Sequence, residues 1–75
     1  LNVSLSPSPA KNELKISALD IIKEVTIYNV LGKKVKNATI NKTEEVIDVS
    51  TLNTGIYILK YTVNNTGGTM KFIKE

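Results

Sequence analysis

Between Ile47 and Val63 the chain reads Ile-Asp-Val-Ser-Thr-Leu-Asn-Thr-Gly-Ile-Tyr-Ile-Leu-Lys-Tyr-Thr-Val. A short apolar alternation, Ile47 and Val49, gives way to polar turn formers and a glycine around one leucine, Leu52, before a second β-rich run begins. That order is a strand, a corner and a strand. The spacing Leu52-x-x-Gly55-x-Tyr57 fits the corner at which β-sandwiches cross between sheets, where a tyrosine opening the next-to-last strand turns its hydroxyl back onto the backbone it has just left. Gly55 lets the backbone turn, Leu52 plugs the end of the core, and Tyr57 locks the corner.

What such a corner can belong to is limited by size. With 75 residues the chain supports one domain over residues 1–75, which buries only about 60 to 65 % of the surface its unfolded form exposes. No cysteine staples it, and neither cysteine nor histidine is present to bind zinc, so the core must come from Ile, Val, Leu and a few aromatics. The net charge of +3 comes from lysine alone. Nucleic-acid readers concentrate basic patches and use arginine forks, so no nucleic-acid partner is expected. The densest group, Lys33, Lys34 and Lys36, suits a solubilised strand edge instead. No apolar run is long enough to span a bilayer, and no membrane insertion is expected. The first residues lack the pattern of a signal peptide.

Short strands separated by turn chemistry follow one another along the chain. Leu1 to Leu5 alternates apolar and polar, then stops at Ser6-Pro7-Ser8-Pro9, where two prolines remove two backbone donors. Leu14 to Ser17 alternates again, and Leu19, Ile21 and Ile22 lie in a connection around Asp20. Val25 to Val30 and Val35 to Ile40 flank Asn29-Val30-Leu31-Gly32, whose leading Asn and trailing Gly fit a type I turn with a left-handed glycine and a bulge. Asn41-Lys42-Thr43 is a polar turn before the strand Glu44 to Val49. Ile56 to Val63 leaves the corner with Tyr57, Leu59, Tyr61 and Val63 on its buried face. Asn64 to Gly68 turns the chain into a last strand, Thr69 to Lys74. These observations predict an all-β fold, a small seven-stranded immunoglobulin- or fibronectin-like antiparallel β-sandwich with its glycines and prolines between strands.

The inventory of chemistry is short. Lacking histidine and cysteine, the chain has no Ser-His-Asp or Cys-His nucleophile, no zinc site of the usual kind and no imidazole base. Asp20 with Glu24, or Glu44 and Glu45 with Asp48, are better read as solvated charges than as catalytic or calcium-binding carboxylates. Gly67-Gly68 leads into a strand, whereas phosphate cradles need a helix N-terminus. No catalytic residue, metal or cofactor is predicted. Tyr28 is the best exposed ring for a sugar, although one ring without tryptophan makes a poor carbohydrate platform. Four Asn-x-Ser/Thr triplets, at Asn2, Asn37, Asn41 and Asn64, reflect a chain rich in Asn and Thr.

Four blocks stand in order: Ser6-Pro7-Ser8-Pro9 through Ile16; Val25-Thr26-Ile27-Tyr28-Asn29-Val30-Leu31-Gly32-Lys33-Lys34-Val35; Ile47 through Lys60; and Gly67-Gly68-Thr69-Met70-Lys71-Phe72-Ile73-Lys74. Together they closely resemble the C-terminal sorting domain of type IX (Por) secretion cargo from Bacteroidetes and relatives, over nearly the whole chain. One block departs from the family's habit: an aromatic residue and Pro-Asn-Pro are replaced by Leu5-Ser6 and Pro7-Ser8-Pro9. Serine bonds its own turn more weakly than asparagine does.

The resemblance implies a non-catalytic address label, carried at the C-terminus of a secreted enzyme or adhesin. It would be recognised at the periplasmic side of the outer-membrane translocon and often removed by a sortase-like peptidase, its cargo ending at the cell surface or exterior. Carried over to this chain, the recognition elements would be the Pro7 to Pro9 loop, the Gly55 to Tyr57 corner, the Gly67-Gly68 hairpin and the terminal strand Lys71-Phe72-Ile73-Lys74, with Asn29, Gly32 and Leu52 structural. A different class of reading is an accessory adhesion or carbohydrate-binding module of an extracellular hydrolase, using Tyr28. A third is a spacer.

Overall fold

In the computed structural model, which describes residues 3–7 and 9–75, the chain contains five strands in one sheet. They are β1 (Ser4–Ser6), β2 (Glu13–Tyr28), β3 (Lys34–Asp48), β4 (Gly55–Val63) and β5 (Thr66–Lys74), each paired antiparallel to its neighbours. Leu1 and Asn2 of the expected first strand, and Ser8 of the proline loop, lie outside the described residues.

Seven expected strands are five because two expected breaks stay extended. β2 runs straight through Leu19 to Ile22, and β3 through Asn41 to Thr43. Neither stretch holds a glycine or proline, so nothing forces the chain out of the sheet. Bulges occur where turns were expected. The β2–β3 register slips between Ser17 and Ile22 and again between Ile22 and Glu24, and Asn41 sits at φ +54°, a conformation asparagine tolerates better than most residues. These slips also switch faces. Leu14, Ile16 and Ile22 are buried at even spacing, whereas the step from Ile22 to the buried pair Val25 and Ile27 is odd.

One sheet therefore stands where a two-sheet, seven-stranded sandwich was expected, and it curls into a half-barrel. β3 follows one edge of β2 along its length, while β1 and β4 share the other edge, at Lys15 to Ser17 and at Ile22 to Tyr28 respectively. β5 lies beyond β4. The curl is tied by Ala10, which bridges Lys74 in parallel. Its N–H donates to the Ile73 carbonyl at 2.8 Å, and its carbonyl accepts from Glu75 N–H at 2.7 Å. Inside, Leu14, Ile16 and Ile47 from one arm join Val25, Leu59, Val63 and Phe72 from the other in one cluster. Burying a side chain the size of Phe72 contributes about 1.5 to 3 kcal/mol.

The first hairpin closes as its sequence suggests, and the second is tighter. Asn29 and Gly32 close the first as expected: Gly32 N–H donates to Asn29 O at 3.0 Å, Gly32 has φ +82°, and a bulge follows between Ile27 and Tyr28. The second turn is only Asn64-Asn65, with Asn64 at φ +56° and Val63 already paired with Thr66. Gly67 and Gly68 consequently lie inside β5, and Gly55 opens β4, correcting the expectation that glycines fall only between strands.

Candidate recognition surface

The corner between β3 and β4 is built from hydrogen bonds to its own backbone. Asp48 Oδ1 accepts from Ser50 N–H at 2.9 Å and from the Ser50 hydroxyl at 2.6 Å, holding the Asp48 carboxyl below the usual carboxylate range, with a smaller contribution from the Lys36 charge. Leu52 N–H then donates to Val49 O at 3.0 Å, and half-buried Leu52 packs against the core. The Tyr57 hydroxyl donates to Asn53 O at 2.7 Å, the bond that the Leu52-x-x-Gly55-x-Tyr57 spacing predicts. Tyr57 also stacks on Phe72, with ring centroids 5.6 Å apart.

The end of β5 is enclosed rather than free. Ala10 takes the outward-facing Ile73 carbonyl and Glu75 N–H, and Lys11 pairs with the Glu75 carboxylate at 3.6 Å. Backbone groups alternate in direction along a strand, so Gly67, Thr69 and Lys71 also turn their N–H and C=O groups to this outer edge. Pro7 and Pro9 line a hollow beside Lys11, Asn12 and Glu13.

The residues singled out from sequence do not gather in one place. Gly55 and Lys74 are directly paired, and Ile73 lies beside Ala10, so these three share one end of the molecule. Gly67 and Gly68 sit at the opposite end of β5. Tyr57, Phe72 and Lys74 are buried. Lys71 and Ile73 are exposed on the outer face. Tyr28 is half-buried, less open than expected.

Sequence reading missed the surface around Tyr28. The pairings Tyr28 to Ile58 and Ile58 to Lys71 align three residues across β2, β4 and β5 on the face away from the core. With Val30 and Ile56 they line an open cleft of about 570 Å³. The missing signal is cross-strand register, because Ile56 and Ile58 read as an outward alternation until β2 and β5 are known to flank them.

Among the described residues no group of acidic side chains is placed to hold a metal ion, and no helix is long and apolar enough to cross a membrane. Comparison with curated proteins finds no match to the chain. The family model of the secretion system C-terminal sorting domain, however, matches residues 4–75. That span takes in all five strands, the corner and the Ala10 tie, and a domain of this kind is itself non-catalytic. The chain belongs to the secretion system C-terminal sorting domain family, whose members mark cargo for type IX export to the cell surface or exterior.

Proposed function

We propose that residues 1–75 act as one folded label, read by an outer-membrane translocon after periplasmic transit and then removed from its cargo by a sortase-like peptidase. The family match over residues 4–75 carries the sorting role. The finer steps draw support from the way the end of β5 is presented. Ala10 bonds the Ile73 carbonyl and the Glu75 N–H, and Lys11 pairs with the Glu75 carboxylate, so a reader meets a set shape along this edge.

Pro7 and Pro9 precede this tie, the Gly55 to Tyr57 corner abuts it through the Gly55–Lys74 pair, and Lys71 and Ile73 offer side chains beside it. Gly67 contributes backbone at the far end of the same edge, while Gly68 pairs inward with Tyr61 of β4. Buried Phe72, Lys74 and Tyr57 act by keeping that edge in place.

Fusing residues 1–75 behind a reporter in a type IX-secreting host tests this, with a second fusion carrying Ala10→Pro, which deletes the N–H that holds Ile73. Export of the first and periplasmic retention of the second are expected. Equal export of both refutes a role for the tied end, and retention of both refutes the sorting role.

The carbohydrate-binding alternative gains from Tyr28 lining a cleft, but the cleft is poor in polar groups. Asn29 Oδ1 already accepts from Leu31 and Lys33 N–H, leaving Lys71 as the main polar side chain. A polysaccharide retained by the domain and released by Tyr28→Ala is the result that would revive it.

A further inference from the structure

We infer that the cleft between the Asn29 to Gly32 turn and the outer face of β4 and β5 is a docking site for an extended acidic and aliphatic protein segment. The inference rests on the sorting reading and names the chemistry of a partner surface for it. Its walls are apolar, from Tyr28, Val30, Ile56 and Ile58, and Lys71 stands among them. A volume of about 570 Å³ lies in the range of sites that hold one or a few side chains. The turn forming one wall is fixed before any partner arrives, since Asn29 bonds Leu31 N–H at 2.9 Å, Lys33 N–H at 3.0 Å and Gly32 N–H through its carbonyl.

Charge selects the occupant. No Asp or Glu occurs between Glu24 and Glu44, or between Asp48 and Glu75, whereas those two segments hold Lys33, Lys34, Lys36 and Lys42, and Lys60, Lys71 and Lys74. The three ion pairs among the described residues, Lys11–Glu75, Lys15–Glu44 and Lys42–Glu45, use none of the lysines around the cleft. Lys71 lines the hollow, Lys34 is the cross-strand partner of Tyr28, Lys33 follows Gly32 and Lys60 lies two residues beyond Ile58, and none of the four belongs to those ion pairs. An aliphatic side chain in the hollow with carboxylates on either side satisfies both features. A bilayer would cover the projecting Val30 and Leu31 but not reach the half-buried Tyr28 and Ile58 between the strands, whereas a side chain entering the hollow meets all of its walls.

The test is titration of the isotopically labelled domain, followed by NMR, with end-blocked Asp-Leu-Asp-Leu-Asp. Asn-Leu-Asn-Leu-Asn, Asp-Ser-Asp-Ser-Asp and phosphatidylglycerol vesicles serve as parallel arms. Saturable shifts centred on Tyr28, Ile56, Ile58 and Lys71 are expected with the first peptide. Each control peptide, and the first peptide against Lys71→Glu or Ile56→Ser, should bind about tenfold more weakly or worse.

No saturable binding, equal binding of the asparagine peptide, shifts centred elsewhere, or undiminished binding by folded Lys71→Glu would each overturn the inference. So would vesicles that shift these residues when the peptides do not. Reporter export separates the two readings: if wild-type and Lys71→Glu fusions are exported alike, the cleft is dispensable and sorting stands. If the wild-type fusion stays in the cell, sorting itself fails, whatever the peptides do.

Discussion

The ring of Tyr61 lies over Gly68, its direct cross-strand partner, and fills the space that a side chain there would occupy. Hydrogen bonding within the sheet does not require glycine at that position. The close approach of an aromatic ring does, and the ring in turn covers a backbone that glycine leaves bare. Half-buried Tyr61 packs against the core beside buried Leu59 and Val63, so the pair seals the inner face near the second hairpin.

Two adjacent glycines should therefore respond differently to one methyl group. A Cβ on Gly68 would overlap the Tyr61 hydroxyl and ring, forcing the ring out at a cost of about 1 to 3 kcal/mol. At Gly67 the nearest neighbour would be the Tyr61 carbonyl at 3.7 Å, an ordinary contact. Gly67→Ala should be neutral or stabilise by up to about 1 kcal/mol through the unfolded chain. Denaturant melts of both variants check this, and equal effects would mean that the ring does not rest on Gly68.

At the corner, Tyr57→Phe removes the donor to Asn53 O while keeping the stack on Phe72, and should cost about 1 kcal/mol. Tyr57→Ala removes the ring as well and should cost about 3 to 5 kcal/mol. Thermal unfolding of the two variants separates the hydroxyl from the packing; a neutral Tyr57→Phe would show that water serves Asn53 O equally well.

What was legible in the sequence was local. The Asn29 to Gly32 turn and the Tyr57 corner each depend on residues within five positions of one another, and both form as their spacing implies. Strand count failed where the deciding fact was an absence: without glycine or proline, Leu19 to Ile22 and Asn41 to Thr43 stay in their strands as bulges. Polar residues alone do not break a strand. The Ala10 tie and the Tyr28 cleft could not be read because they join segments set side by side only by register, and neither carries a motif of its own.

The first hairpin predicts a contrast between a side-chain and a backbone defect. Asn29→Ala deletes the acceptor of two N–H groups and should destabilise by about 1 to 2 kcal/mol. Gly32 has open space around its missing Cβ, so its φ of +82° is the only obstacle to substitution. Gly32→Ala should cost about 1 to 2 kcal/mol, Gly32→Val no less, and Gly32→Asn clearly less than either. Chemical denaturation of the three variants reads the order; if Gly32→Asn proves as damaging as Gly32→Val, the left-handed turn is not what Gly32 provides.

Asp48 gives the corner a pH response whose sign is fixed by its hydrogen bonds. The Ser50 hydroxyl first, then the Ser50 N–H, stabilise its ionised form, and its carboxyl therefore titrates below the ordinary aspartate value. With a folded value lower than the unfolded value of about 3.9, the contribution to stability is fully present above about pH 3.9 and declines as pH falls through the folded value. Neutral conditions lie above that window, so nothing should change there. Ser50→Ala removes the shorter bond and should raise the Asp48 value toward the ordinary one. Asp48→Asn keeps an acceptor oxygen without a charge, so its stability deficit relative to the parent should shrink as the solution is acidified below about pH 4. Carboxyl-detected NMR titration, with melts of both variants across the same range, measures the effect. A parent Asp48 titrating at or above the ordinary value, unmoved by Ser50→Ala, would show that Ser50 does not hold the corner through this carboxylate.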